Sequence, residues 1–241
     1  MTPLELIGAA TIVMVGAILQ GSVGFGLGML AAPLLVIIDP AFVPAPLLAA
    51  AFALTLLVAR RERHAIDFGG IGWVLLGRLP GTFIGAMVMA VAPQKATNVL
   101  VGVVVFVAVG LIGSGVSLPR TPRVLLSAGT LSGFMGTTTS IGGPPIAALY
   151  HDAAGAKLRG TMSAIFVVGL TITLTALAIV GRFGRPELRL AAYLLPGALV
   201  GYALSSHIAP ILDRGHTRVA VLSVSALAGL SVIVQALVVN R

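Results

Sequence analysis

Eight apolar runs separated by short polar connections organise the chain: Leu4 to Ile38, Pro44 to Ala59, Phe68 to Ala92, Thr97 to Val116, Val124 to Tyr150, Leu158 to Val180, Leu190 to Leu212 and Val219 to Val239. A helix rises about 1.5 Å per residue, so roughly 20 apolar residues cross the hydrocarbon of a bilayer, and the runs predict membrane-spanning helices. The first and fifth runs, at 35 and 27 residues, are too long for one crossing, and both carry glycines in their middle. In the fifth, "TTTSIGGPPIAALY" (Thr137 to Tyr150) places hydroxyls, adjacent glycines and adjacent prolines inside an apolar stretch. Such residues release backbone N–H and C=O groups from helical pairing, and in hydrocarbon each unpaired group costs several kcal/mol. Something in the fold must satisfy them.

Composition supports the membrane reading. Of 241 residues 58% are hydrophobic and 9% charged, against about 25% charged in soluble domains. The chain has no cysteine, which removes disulfides and thiolate metal sites. A net charge of +8 does not point to nucleic acid, because the basic residues are scattered between apolar runs with few aromatics and form no stripe. Basic connections in a membrane protein report orientation instead. Glu5 stands where a signal peptide would be basic, and the first run continues well beyond a signal's length.

The halves of the chain match one another. At an offset of 112, "QGSVG" (Gln20 to Gly24) meets "SGFMG" (Ser132 to Gly136); at 116, "LPGTFIG" (Leu79 to Gly85) meets "LPGALVG" (Leu195 to Gly201). The matches keep their order, predicting two tandem pseudo-symmetric repeats, 1–116 and 117–241, of about four hydrophobic segments each. The fold class expected is an all-α polytopic membrane protein whose repeats each open with a discontinuous or re-entrant helix.

Transporters built from paired repeats place broken helices near the bilayer midplane, where freed N–H groups at the start of a half-helix suit an anion. The candidate binding groups are therefore Gln20, Ser22 and Gly24 at the first break, and Thr137, Thr138, Thr139, Ser140, Gly142 and Gly143 at the second. The hydroxyls donate, the glycines admit close backbone approach, and Pro144 fits the first turn of a new helix. The competing reading gives these residues only a role in kinking and packing helices.

Arg78, in "WVLLGRLPG", lies ten residues into its run and close to mid-bilayer. Even a lenient insertion scale assigns about 2.5–3.5 kcal/mol to such an arginine, so it should face a polar cavity or a bound anion, for which guanidinium is a two-pronged donor. The alternative has it bonding helix-end carbonyls beside Pro80. Gly77, Gly81 and Gly85, four residues apart, read as close helix packing. His151, Asp152, Lys157 and Arg159 follow the second break and are weak candidates for gating, or else a solvated loop cluster. "GFGLGMLA" fits a loose dinucleotide pattern but lacks its βαβ setting, and no histidines have metal spacing.

The glycine-rich openings "GAILQGSVGFGLGMLAAPLL" and "GTLSGFMGTTTSIGGPPIAAL", with the "LPGxxxG" that recurs in each half, resemble the sulfite exporter TauE/SafE family of membrane proteins across essentially the whole chain. The resemblance implies passage of small sulfur oxyanions, sulfite or short organosulfonates, across a bacterial inner membrane. Phe25, Leu27 and Met29 separate the glycines of the first copy, which leaves that break less polar than the second.

The expected function is an oxyanion transporter, in the exporting direction, with alternating access around the two breaks and Arg78. A passive anion channel and a membrane-embedded enzyme stand as alternatives, although the chain has no G-x-S-x-G or H-E-x-x-H. The partners expected are a small anionic substrate and the lipid bilayer, with a homodimer left open, no nucleic acid, no metal and no cofactor. Orientation stays open too. Eight crossings, or six with the two long runs turning back, both divide the loop basic residues nine to five with "RRERH" inside.

Overall fold

The computed structural model describes residues 2–150, 153, 155–212 and 217–238, and all its regular structure is helical. The helices are α1 (Pro3–Val23), α2 (Leu27–Ile38), α3 (Ala45–Arg61), α4 (Ile71–Val91), α5 (Gln94–Gly113), α6 (Pro122–Thr139), α7 (Gly143–Ala147), α8 (Gly155–Ile179), α9 (Arg185–Leu212) and α10 (Thr217–Val238). Five of these, α1, α4, α5, α8 and α9, are long and apolar enough to cross a bilayer by length and composition. Helix α3 has 17 residues, and α6 gives much of its length to glycine, serine and threonine, so neither meets that measure alone.

The two overlong runs are each folded as two helices. Helix α1 opens with a capping box, Thr2 N–H donating to Glu5 Oε2 at 2.7 Å and Glu5 N–H to Thr2 Oγ1 at 3.3 Å, and it has proline at N1. It stops at Gly24, whose φ of 104° is open to glycine and strained for other residues. Helix α6 stops at Ser140, which carries φ 66° without being glycine and is held there by its hydroxyl donating to Pro44 O at 3.0 Å.

Two ends of the molecule are marked by polar contacts. At the first end Lys157 pairs with Asp67 at 2.9 Å and Arg159 with Glu62 at 3.0 Å. At the second, Arg182 Nη2 donates to Ala92 O at 3.1 Å, and Asp39 accepts from Ala41 N at 2.8 Å. Helix α1 runs from the second end to the first, where a Cβ on Gly24 would come 3.1 Å from Arg159 Cα, and α2 returns along it, bringing Ile38 beside Gly8. Helix α6 leaves the first end and α7 doubles back toward it, with Ser132 Oγ donating to Gly142 O at 2.6 Å and Leu118 N–H to Ala148 O at 3.0 Å. The two long runs therefore turn back as hairpins that enter from opposite ends.

Glycine faces set the closest packing. A Cβ on Gly77 or Gly81 of α4 would strike the carbonyls of Leu126 or Thr130 of α6; one on Gly197 of α9 would strike that of Ala10 of α1. Backbones that approach this closely gain dispersion without any hydrophobic drive between helices in lipid. Gly81 and Gly197, which open similar "PGxxxG" letters 116 apart, thus meet Thr130 and Ala10, which are 120 positions apart and not the 112 at which the flanking letters match. Helix contact selects for small residues facing a carbonyl, and that requirement tolerates a shift of whole turns.

Candidate functional site

The tips of the hairpins touch. A Cβ on Gly28 would strike Ser140 O, and one on Gly143 would come 3.0 Å from Phe25 Cβ. Between them lies a cavity of about 40 Å³ walled by Gln20, Gly26, Arg78, Ser140, Gly142 and Gly143, with Met29, Leu48, Phe166 and Leu170 on its apolar sides. That is space for the centres of a few waters, on the scale of a small oxyanion.

Arg78 projects from α4 into this place and is 1% exposed. Its Nη1 donates to Ser132 Oγ at 2.6 Å, and Ser132 in turn donates to Gly142 O, so the guanidinium is tied through one hydroxyl to the freed backbone of the second hairpin. Its Cζ lies 5.8 Å from the centre of the Phe166 ring. Nε has no hydrogen-bond partner, and among the described residues no carboxylate pairs with the charge. A buried cation without a counter-ion is expensive, and a bound anion would offset that expense. Gly169 of α8 makes the room, because a Cβ there would come 2.7 Å from Cζ.

The other candidate residues divide. Gln20 is buried and lines the cavity. Ser140, Gly142 and Gly143 also line it. Ser22 does not: its hydroxyl donates to Ser205 O of α9 at 3.0 Å, and Gly24 packs on the start of α8. Thr138 and Thr139 spend their hydroxyls inside α6, donating to Phe134 O at 2.8 Å and Met135 O at 2.7 Å. Thr137 faces Thr173 of α8 at 3.4 Å between the hydroxyl oxygens. Lys157 and Arg159 are engaged at the first end, the latter also donating to Ser22 O at 3.2 Å; His151 lies outside the described residues.

Glu62 accepts from both Arg159 and Arg61 at 3.0 Å, while Arg61 Nη2 donates to Gly21 O at 2.6 Å. Two cations thus sit on the last carbonyls of α1, where the helix dipole favours them. Nearby, Asp67 is held below the usual carboxylate range by the Lys157 hydrogen bond first, then by the Gly69 N–H and the Arg120 charge.

Ser132, Phe166 and Gly169 were not among the residues singled out from sequence. For Ser132 one signal existed, since it occupies the position of Gln20 in the 112-residue match. Nothing in the sequence ties Phe166 or Gly169 to Arg78, because the contact depends on which helix α8 packs against.

No curated protein and no solved structure matches the chain. The family described as Sulfite exporter TauE/SafE matches residues 8–232, nearly the entire length. With apolar helices long enough to cross a bilayer and that match, the chain belongs to the TauE/SafE family of membrane transporters.

Proposed function

We propose that the protein exports a small oxyanion, sulfite or a short organosulfonate, by alternating access around the cavity where the two hairpins meet. The observation that carries this reading is Arg78: a buried guanidinium, unpaired by any described carboxylate, with Nε free, at the wall of a cavity of oxyanion size. Gln20 from one hairpin and the Ser140–Gly143 backbone from the other supply neutral donors around it.

The halves act as inverted repeats. Support comes from the paired packing, α1 along α9 and α4 along α6, and from hairpins that enter from opposite ends. Among the described residues of the connections and helix ends, the first end carries Arg60, Arg61, Arg63, Arg120, Arg123, Lys157, Arg159 and Arg218, eight in all, and the second carries Lys95, Arg182, Arg185 and Arg189, four. The eight-to-four excess supports a first end in the cytoplasm and an amino terminus on the opposite side of a bacterial inner membrane.

The test is flux of sulfite and methanesulfonate in liposomes holding only the purified protein, together with melting in detergent with and without each anion. Ligand that binds the folded state raises its melting temperature by mass action. Saturable flux with exchange of internal for external anion is expected; a folded protein that neither melts higher with either anion nor carries it would overturn the proposal.

A further inference from the structure

Threonines in membrane helices usually satisfy their hydroxyl on the carbonyl four residues back. Thr11, Thr55, Thr130, Thr138, Thr139 and Thr171 do so here, at 2.7 to 3.0 Å. Three that lie one turn beyond the Arg78 layer do not. Thr82 Oγ1 has no partner, and Thr137 and Thr173 have only each other, at 3.4 Å. All three are within 1% of complete burial.

Their placement is ordered. Helices α4, α6 and α8 all run from the first end to the second, and Arg78, Gly133 and Gly169 meet in one layer, where a Cβ on Gly133 would come 3.1 Å from Arg78 Cα and one on Gly169 would press on the guanidinium. Thr82, Thr137 and Thr173 each stand four residues further on, one turn closer to the second end on the same faces. A Cβ on Gly133 would touch Thr82 N at 3.0 Å, and one on Gly85 would touch Thr137 Cβ at 2.9 Å, which brings α4 and α6 together at this layer. The layer lies outside the cavity walls, closed by this packing.

We infer that Thr82, Thr137 and Thr173 form the next station for the anion on its way from Arg78 to the second end, exposed when α4, α6 and α8 part. The inference rests on the reading of Arg78 as the oxyanion site. Three hydroxyl donors without a fixed charge suit a transit position, since they replace hydration yet hold the anion more weakly than a guanidinium and so release it. Ser163 and Ser225 also keep a buried hydroxyl without a partner, so what marks Thr82, Thr137 and Thr173 is their common place one turn beyond Arg78 on three adjoining helices.

The experiment compares Thr82→Val, Thr173→Val and the double variant with wild type, using sulfite as probe. Valine keeps the shape and removes the donor. The double variant is expected to melt no lower than wild type without ligand, to keep the rise in melting temperature that sulfite produces at the Arg78 site, and to lose about tenfold or more in flux. Thr82→Ser, which restores a donor, recovers most of the flux, and Thr171→Val, at an exposed back-bonded position, leaves it unchanged. Wild-type flux in the double variant, or flux lost only in step with lost folded protein, overturns the station while leaving Arg78 in place. Wild type without sulfite flux or sulfite-dependent stabilisation removes the Arg78 reading and the station with it.

Discussion

The guanidinium of Arg78 occupies the space that a side chain at Gly169 would fill. A methyl built on Gly169 would come 2.7 Å from Cζ and 2.9 Å from Nη2. The charge is thus held in place by an absence on α8 as much as by the donor geometry on α4. Gly169→Ala is expected to cost about 1–3 kcal/mol, in the range of overpacked cores, and to push Arg78 off Ser132. The check is a paired measurement: melting falls modestly, while the sulfite-dependent rise in melting temperature disappears. A variant that keeps the full rise would show that Arg78 tolerates displacement, and the tight seat would then have no bearing on binding.

Ser132 and Thr138 are both hydroxyls on α6, and the fold gives them opposite weight. Ser132 accepts from Arg78 and donates to Gly142 O, so Ser132→Ala leaves two buried groups unpaired and is expected to destabilise by about 1–3 kcal/mol and weaken sulfite binding with it. Thr138→Val removes only a bond to the carbonyl of its own helix, and should leave binding unchanged. Titrating sulfite against melting temperature in both variants reads the contrast. Equal losses in the two would mean that the hydroxyls act through general packing of α6.

Acid should loosen the first end. Asp67 is held below its ordinary value of 3.8 by Lys157, Gly69 N–H and Arg120. A folded-state pKa lower than the unfolded one contributes stability that is fully present above the unfolded value and disappears as pH falls through the folded one. Exposed pairs of this kind are worth about 0–1 kcal/mol each. Asp67→Asn, which keeps an acceptor for Gly69 N–H, should therefore melt slightly below wild type at neutral pH, and the gap should close below about pH 4. A gap that stays constant into acid would remove the ion pairs as its cause.

The absence of cysteine makes orientation directly measurable. Arg63→Cys at the first end and Arg185→Cys at the second each introduce a single thiol in a polar connection. In intact cells an impermeant maleimide is expected to label Cys at 185 and to reach position 63 only after the membrane is opened. The reverse pattern would place the first end outside, against its eight-to-four excess of described basic residues.

Hydrophobic run length announced the helical membrane architecture, and the two runs of 35 and 27 residues are the ones folded as helix, reversal and second helix. Arg78 was legible because an arginine at the centre of an apolar run has few tolerable environments. What surrounds it was not. Three consecutive threonines look equivalent in sequence, yet rotation about the α6 axis sends Thr138 and Thr139 onto their own carbonyls and Thr137 across to α8. Ser22 likewise reads as a binding hydroxyl until α9 packs against α1 and takes it. The partners of a side chain depend on which helices are neighbours, and local spacing carries little of that information. Thr82, silent in a run of apolar letters, is informative only once its hydroxyl is found unbonded.

Removing the charge of Arg78 separates a binding role from a structural one. Glutamine takes away a costly buried cation and still offers an amide donor toward Ser132, so Arg78→Gln should insert and fold, melting at or above wild type without ligand. If the guanidinium neutralises the anion, the variant loses the sulfite-dependent rise in melting temperature, and flux falls by a hundredfold or more, since a charge-assisted hydrogen bond to a buried oxyanion is worth about 1.5–3 kcal/mol and the unscreened charge adds to it. Lysine restores only part of the flux, because a point ammonium lacks the flat two-pronged donor face. A structural arginine predicts a different order: glutamine would lower the melting temperature by leaving Ser132 and, through it, Gly142 O poorly paired, and flux would track the amount of folded protein. A folded Arg78→Gln protein that still gains stability from sulfite and carries it at the wild-type rate would take the cavity out of the transport path.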